Sequence, residues 1–169
     1  NEHINKTLQE IIDTAKPQVD EVEVFYQETK NEQIGFEQDQ IMNNPEISQD
    51  QGVAIRVLKD KKMGFTYTKN VLDVKQLVTN AVDSLSAGNP AEYTLPSENK
   101  TVADYAKESN IRDISSDKMI SDYRDLQSHL LAKKDINFEI YGILANKTTK
   151  ILNSRGTDLT CTNAFSRSV

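Results

Sequence analysis

The sequence predicts an α+β domain, a mainly antiparallel sheet covered by about three helices. Three observations predict it. Apolar residues recur at helical spacing in three separate segments, and several other segments alternate with period two. The elements also come in blocks (a helix, four strands, a helix, a polar excursion, a helix, three strands), unlike the strict strand–helix alternation of a doubly wound fold. A length of 169 residues suits one domain, taken here as residues 1–169.

Ile4, Leu8, Ile11, Ile12 and Ala15 mark the first helix, which Pro17 stops. Residues 20–30 then alternate through Val22, Val24 and Tyr26, and residues 32–39 alternate through Ile34 and Phe36. Residues 29–32 between them predict a short hairpin connection, and Asn43-Asn44-Pro45 predicts a break. Residues 51–60 form the next strand, with Val53, Ile55 and Val57 inward. A tight turn at 60–62 leads into Met63, Phe65 and Tyr67. Gly52 and Gly64 sit at strand starts, where a bulge or a close backbone approach is expected. Val74, Leu77, Val78, Ala81, Val82 and Leu85 form the second helix, ended by Gly88-Asn89-Pro90. Residues 91–114 are a polar, irregular excursion. Ser115 or Ser116 caps a third helix whose apolar face is Ile120, Tyr123, Gln127, Leu130 and Leu131. Three strands follow: one through Ile136, Phe138 and Ile140, one at 150–153 and one at 159–169.

The composition excludes several classes. The apolar set with glycine is about 37%, below the usual ~45–50%. The polarity comes from amides, 14 Asn and 10 Gln, with charged residues at 27%. No run of about 18 apolar residues is present, so no membrane span is expected. Cys161 is the lone cysteine, which excludes an internal disulfide. With no signal-peptide pattern, this predicts a reducing, cytoplasmic setting. The net charge of −6 is uneven: residues 1–50 carry −9 and residues 51–169 carry +3. The bases are scattered, and Lys59, Lys61 and Lys62 read as a solvated hairpin tip, so no direct nucleic-acid contact is expected. The chain starts without Met and stops inside the alternation Leu159, Cys161, Phe165; it is therefore expected to be a piece of a longer protein.

A search for chemistry finds no self-contained active site. His3 and His129 belong to no zinc pattern, and His129 lies off the apolar face of its helix. Glu21 and Glu23 share a strand face that Glu37 or Asp39 could oppose. Such carboxylates can bind metal, but the wet face of a half-exposed sheet accounts for them as well. Cys161 has no neighbouring base to activate it. No glycine-rich phosphate loop is present. Asn153-Ser154-Arg155-Gly156 is a turn between strands, with Arg155 as a candidate anion contact.

Three runs in order carry a resemblance. Asp20-Glu21-Val22-Glu23-Val24-Phe25-Tyr26 follows the first helix. Gln51-Gly52-Val53-Ala54-Ile55-Arg56-Val57 follows the acidic segment, and Met63-Gly64-Phe65-Thr66-Tyr67-Thr68 follows the lysine turn. With Asn153-Ser154-Arg155-Gly156 and its Thr/Ser-rich strand, the succession closely resembles the N-terminal domain of the TldD/PmbA family, also named modulators of DNA gyrase. The resemblance covers about residues 4–169. It implies a two-domain parent, in which this domain meets its own C-terminal domain and a homo- or heterodimer subunit. It implies a zinc-dependent peptidase acting on unfolded peptides or small proteins, its zinc held by a His-Glu-x-x-x-His helix. No position here matches that helix, so no catalytic, cofactor-binding or metal residue carries over, and zinc is expected only in the parent assembly. The Asn-Ser-x-Gly turn resembles the PmbA-type half, which lacks the zinc helix. Gly52, Gly64, Asn153, Ser154 and Gly156 are then family-motif positions of structural kind. The expected function is a non-catalytic substrate-binding or assembly domain, with strand addition of a peptide at residues 159–169 as its physical means. The alternative is an interaction module that regulates a partner such as DNA gyrase without proteolysis.

Overall fold

In the computed structural model, which describes residues 2–37, 40–41, 46–97, 114–133 and 136–169, the first helix α1 runs Glu2–Ala15. It buries Leu8, Ile11, Ile12 and Ala15, the stripe its spacing predicts. Each fully buried Leu or Ile contributes roughly 1.5–3 kcal/mol through removal from water. The second helix, α2, runs Val74–Asp83 and is capped by Asp73, whose carboxylate accepts from the Gln76 N–H at 3.0 Å. A 3₁₀ turn, Ser84–Ala87, extends it. The third, α3, runs Ser116–Leu131; of the two candidate caps, Ser115 serves, accepting from the Lys118 N–H at 3.2 Å.

The strands are β1 (Glu21–Glu37), β2 (Gln40–Ile41), β3 (Glu46–Lys59), β4 (Lys62–Thr68), β5 (Asn89–Pro90), β6 (Glu139–Asn153) and β7 (Asp158–Ser168). Their hydrogen-bonded order is β5-β4-β3-β1-β6-β7, with β2 beside β1. Among the described residues the fold is α+β, with a mainly antiparallel sheet and three α-helices, as the sequence predicts.

Two joints differ from the sequence reading. The hairpin expected at 29–32 does not exist, because β1 is one strand of 17 residues. Its buried apolar positions, Val22, Val24, Tyr26, Ile34 and Phe36, are all even-numbered, so the alternation never changes phase. Likewise the strands expected near 136–140 and 150–153 are the two ends of β6. The expected break at 43–45 and positions 98–113 of the excursion lie outside the described residues.

The chain forms two compact units. The first is Asn1–Glu28, Gln51–Ala103 and Thr148–Cys161. Here α1 and α2 pack on Val22, Val24, Tyr26, Val53, Ile55 and Val57, while Leu58, Ala91 and Leu95 form a smaller cluster with Met63. β3 and β4 join through Asp60 and Lys61, both at positive φ (49° and 58°), in the two-residue turn that matches strand twist. The second unit is Thr29–Asp50, Asp104–Lys147 and Thr162–Val169. Its core joins Ile34, Phe36, Ile140 and Leu144 to Met119 and Tyr123 of α3. The Tyr123 ring meets Phe36 edge-on at 5.8 Å between centroids. The buried face of α3 is Met119, Tyr123 and Gln127; Leu131, expected on it, is exposed.

Candidate functional site

The Asn153–Gly156 turn closes the β6–β7 hairpin, and Gly156 takes φ +101°, a conformation that favours glycine. Asn153 is 6% exposed. Its side-chain oxygen accepts from the backbone N–H groups of Arg155 (2.9 Å) and Thr157 (3.0 Å). Its amide nitrogen donates to the Pro96 carbonyl at 2.8 Å, where the Thr157 hydroxyl also donates at 2.9 Å. Ser154 fastens the turn to β1: its N–H donates to the Val22 carbonyl at 2.8 Å, and its hydroxyl accepts from the Val22 N–H at 3.1 Å. Arg155, the candidate anion contact, instead meets Glu21 at 3.1 Å. The other Glu21 oxygen accepts from the Leu95 N–H at 2.6 Å. Glu21, Leu95, Pro96 and the turn are thus one hydrogen-bonded knot.

The remaining candidates are also tied into structure. Glu23 pairs with Arg56 at 2.5 Å, and the Arg56 guanidinium lies 5.8 Å from the Tyr93 ring centre. Glu32 accepts from Lys30 at 2.9 Å and from the Ser116 hydroxyl. The Ser116 hydrogen bond and then Lys30 hold its carboxyl below the ordinary value. Asp39 and the Glu37 side chain lie outside the described residues. His129 contacts the Asp125 carbonyl at 2.7 Å on an exposed helix face, and Cys161 is half-buried. Among the described residues no three His, Cys, Asp or Glu side chains converge, so they do not fit a zinc ion.

Gly52 and Gly64 lie inside β3 and β4 rather than at strand starts. Both are close approaches. A Cβ on Gly64 would lie 2.4 Å from the Ala81 carbonyl oxygen, and one on Gly52 would lie 2.8 Å from the Tyr67 ring. Ser84 completes the Gly64 contact, its hydroxyl donating to Ala81 at 2.6 Å and accepting from the Phe65 N–H at 2.8 Å.

Among the described residues, β7 ends the strand order. The Tyr141 and Val169 backbones exchange both hydrogen bonds at 2.9 Å. In an antiparallel ladder such pairs alternate with residues whose N–H and C=O point the other way. Ala164 and Ser166 therefore aim their backbones away from β6. The strand holds no Pro or Gly, and Phe165 is 53% exposed.

Sequence reasoning missed Thr157 and Pro96, whose parts in the knot depend on contacts far along the chain. It also missed a cavity near Tyr26, Glu28 and Gln51; two polar side chains close to a buried tyrosine on neighbouring strands were the available signal.

Residues 22–85 match the family model described as PmbA/TldA metallopeptidase domain 1. A comparison with curated proteins finds no significant match. Among solved structures, the chain is similar to a "putative modulator of a DNA gyrase" from Thermotoga maritima, with 14% identity and a TM-score of 0.77, over 96% of this chain and 38% of that one. It is also similar to TldE from Thermococcus kodakarensis, with 18% identity and a TM-score of 0.68, over 96% and 38%. A "putative modulator of DNA gyrase" from Bacteroides thetaiotaomicron gives 15% and 0.69, over 99% and 40%. The chain thus spans about two fifths of the length of these proteins. The likeness of fold runs along nearly all of the chain, and within it residues 22–85, from β1 through α2, are similar to the first domain of the PmbA/TldA metallopeptidases.

Proposed function

We propose that this is the non-catalytic, substrate-binding N-terminal domain of a TldD/PmbA-type metallopeptidase, and that it holds unfolded peptides by adding them as a strand to the Thr162–Ser168 part of β7. The observation that carries the reading is the edge itself. Among the described residues β7 is terminal in the strand order, and it is largely exposed and free of the proline, glycine and clustered lysine that blunt natural edges. Main-chain hydrogen bonds ignore side-chain identity, which suits a peptidase acting on unfolded chains. The parent's zinc, its C-terminal domain and its dimer partner belong to the same proposal, as do a cytoplasmic location and assignment to the PmbA-type half. The Asn153-Ser154-Arg155-Gly156 turn supports that assignment; a His-Glu-x-x-x-His helix encoded after Val169 refutes it. Among the described residues, no helix is long and apolar enough to cross a membrane.

The test is photo-cross-linking of an unfolded peptide to the full assembly. Labelling is expected on β7, and Ser166→Pro, which removes an outward N–H, should reduce it at least several-fold. Exclusive labelling of the C-terminal domain, or labelling unaffected by the proline, sinks the reading. The gyrase alternative is weaker, because Glu21, Glu23 and Glu32 are ion-paired and make a poor mimic of a phosphate row.

A further inference from the structure

In the first unit, a cavity of about 280 Å³ opens beside the N-terminal turns of α1. Ile4, Val53, Val71 and the Tyr26 ring give it an apolar body. Its polar groups are gathered rather than scattered. The Tyr26 phenol, on a side chain only 4% exposed, hydrogen-bonds to Glu28 and lies 3.5 Å from the Gln51 side-chain oxygen. Three oxygens therefore converge next to an apolar wall. A carboxylate offers about four lone-pair positions, enough to hold the phenol and further donors. Lys69 stands at the exposed rim. An acceptor cluster carrying negative charge, an apolar pocket and a cationic rim together define a complement.

We propose that this cavity binds an α-ammonium group bearing an apolar side chain of about leucine size. The ammonium sits among Glu28, Gln51 and Tyr26, and the side chain lies against Ile4, Val53 and Val71. The ligand is either a free amino acid, whose carboxylate then meets Lys69, or the first residue of a peptide. Burial, then the Glu28 charge, push the Tyr26 phenol above its ordinary value, so it stays neutral and able both to donate and to accept at physiological pH. The site stands independently of the β7 edge.

Isothermal titration of the 169-residue chain with leucine, Leu-Gly-Gly and N-acetylleucine tests it. Saturable binding of leucine or Leu-Gly-Gly is expected, with none for N-acetylleucine. Glu28→Gln should weaken binding at least tenfold, and Val71→Trp, which fills the cavity from a partly exposed position, should abolish it at an unchanged melting temperature. Equal binding of leucine and Leu-Gly-Gly assigns a peptide N-terminus; binding of leucine alone, weakened by Lys69→Gln, assigns a free amino acid. No saturable binding, equal binding of N-acetylleucine, or affinity untouched by both Glu28→Gln and Val71→Trp overturns the proposal.

Discussion

Truncating Asn153 to alanine tests the knot around the β6–β7 turn. The change removes three side-chain hydrogen bonds, to the Arg155 N–H, the Thr157 N–H and the Pro96 carbonyl. At a net 0.5–1.5 kcal/mol each, the loss is roughly 1.5–4.5 kcal/mol. The three are unequal. Pro96 keeps the Thr157 hydroxyl as a donor. The partly buried Arg155 N–H can reach water. The Thr157 N–H is buried with its residue 4% exposed, so its orphaning carries the full desolvation cost. We expect a loss of about 2–4 kcal/mol, seen as a urea midpoint lower by about 1–2 M at a typical slope. Hydrogen exchange should show faster exchange at Thr157. Asn153→Asp keeps an acceptor oxygen for both N–H groups but sets its second carboxylate oxygen against the Pro96 carbonyl, so it too should destabilise. A loss under about 1 kcal/mol for Asn153→Ala, with Thr157 protection intact, refutes the reasoning.

Three further outcomes are expected. Gly64→Ala places a methyl 2.4 Å from the Ala81 carbonyl oxygen, a backbone atom that cannot swing aside. It should cost about 1–3 kcal/mol by chemical denaturation, and an unchanged midpoint refutes it. Lys61→Gly relieves a side chain held at φ 58° and should raise stability by about 0.5–1 kcal/mol; the ion pair it loses, Lys61–Glu92 at 3.9 Å, is highly exposed and contributes little. A lower melting temperature contradicts this. Glu32 has its folded pKa depressed, so its stabilisation is present above the ordinary value near 4.5 and is lost as pH falls through the folded pKa. Glu32→Gln should flatten the fall of stability below pH 4.5, and an unaltered acid limb refutes that assignment.

The faces of α1 and α2 were legible because they are local. Leu8, Ile11, Ile12 and Ala15 must share a side whatever they pack against. Strand joints were harder. Glu28 to Glu32 is polar and looks like a connection, yet Val22 to Phe36 keeps even parity, and a new strand has no reason to preserve the phase of the last one. Parity, not polarity, was the better guide there. The turn at Asn153 was legible in residue type, since Asn and Gly favour unusual backbone angles. Its partners were not: Pro96 and Glu21 lie 57 and 134 residues away, and no local pattern encodes a contact of that span.

The charge asymmetry acquires a physical meaning from these distant contacts. The first fifty residues carry a net −9 and the remainder +3, which taken alone invites a basic partner. Within the first unit, Glu21 and Glu23 meet Arg155 and Arg56, both from the positive remainder. Each pair has one well-covered carboxylate, and each sits on a strand that the opposite charge joins through the fold. A one-sided substitution would leave that carboxylate covered and unmatched, which costs more than an exposed pair is worth. The segregation along the chain is therefore partly complementarity within the fold. An account that spends these same acids on an external basic surface must first break the contacts that hold β1 to β3 and to the β6–β7 turn.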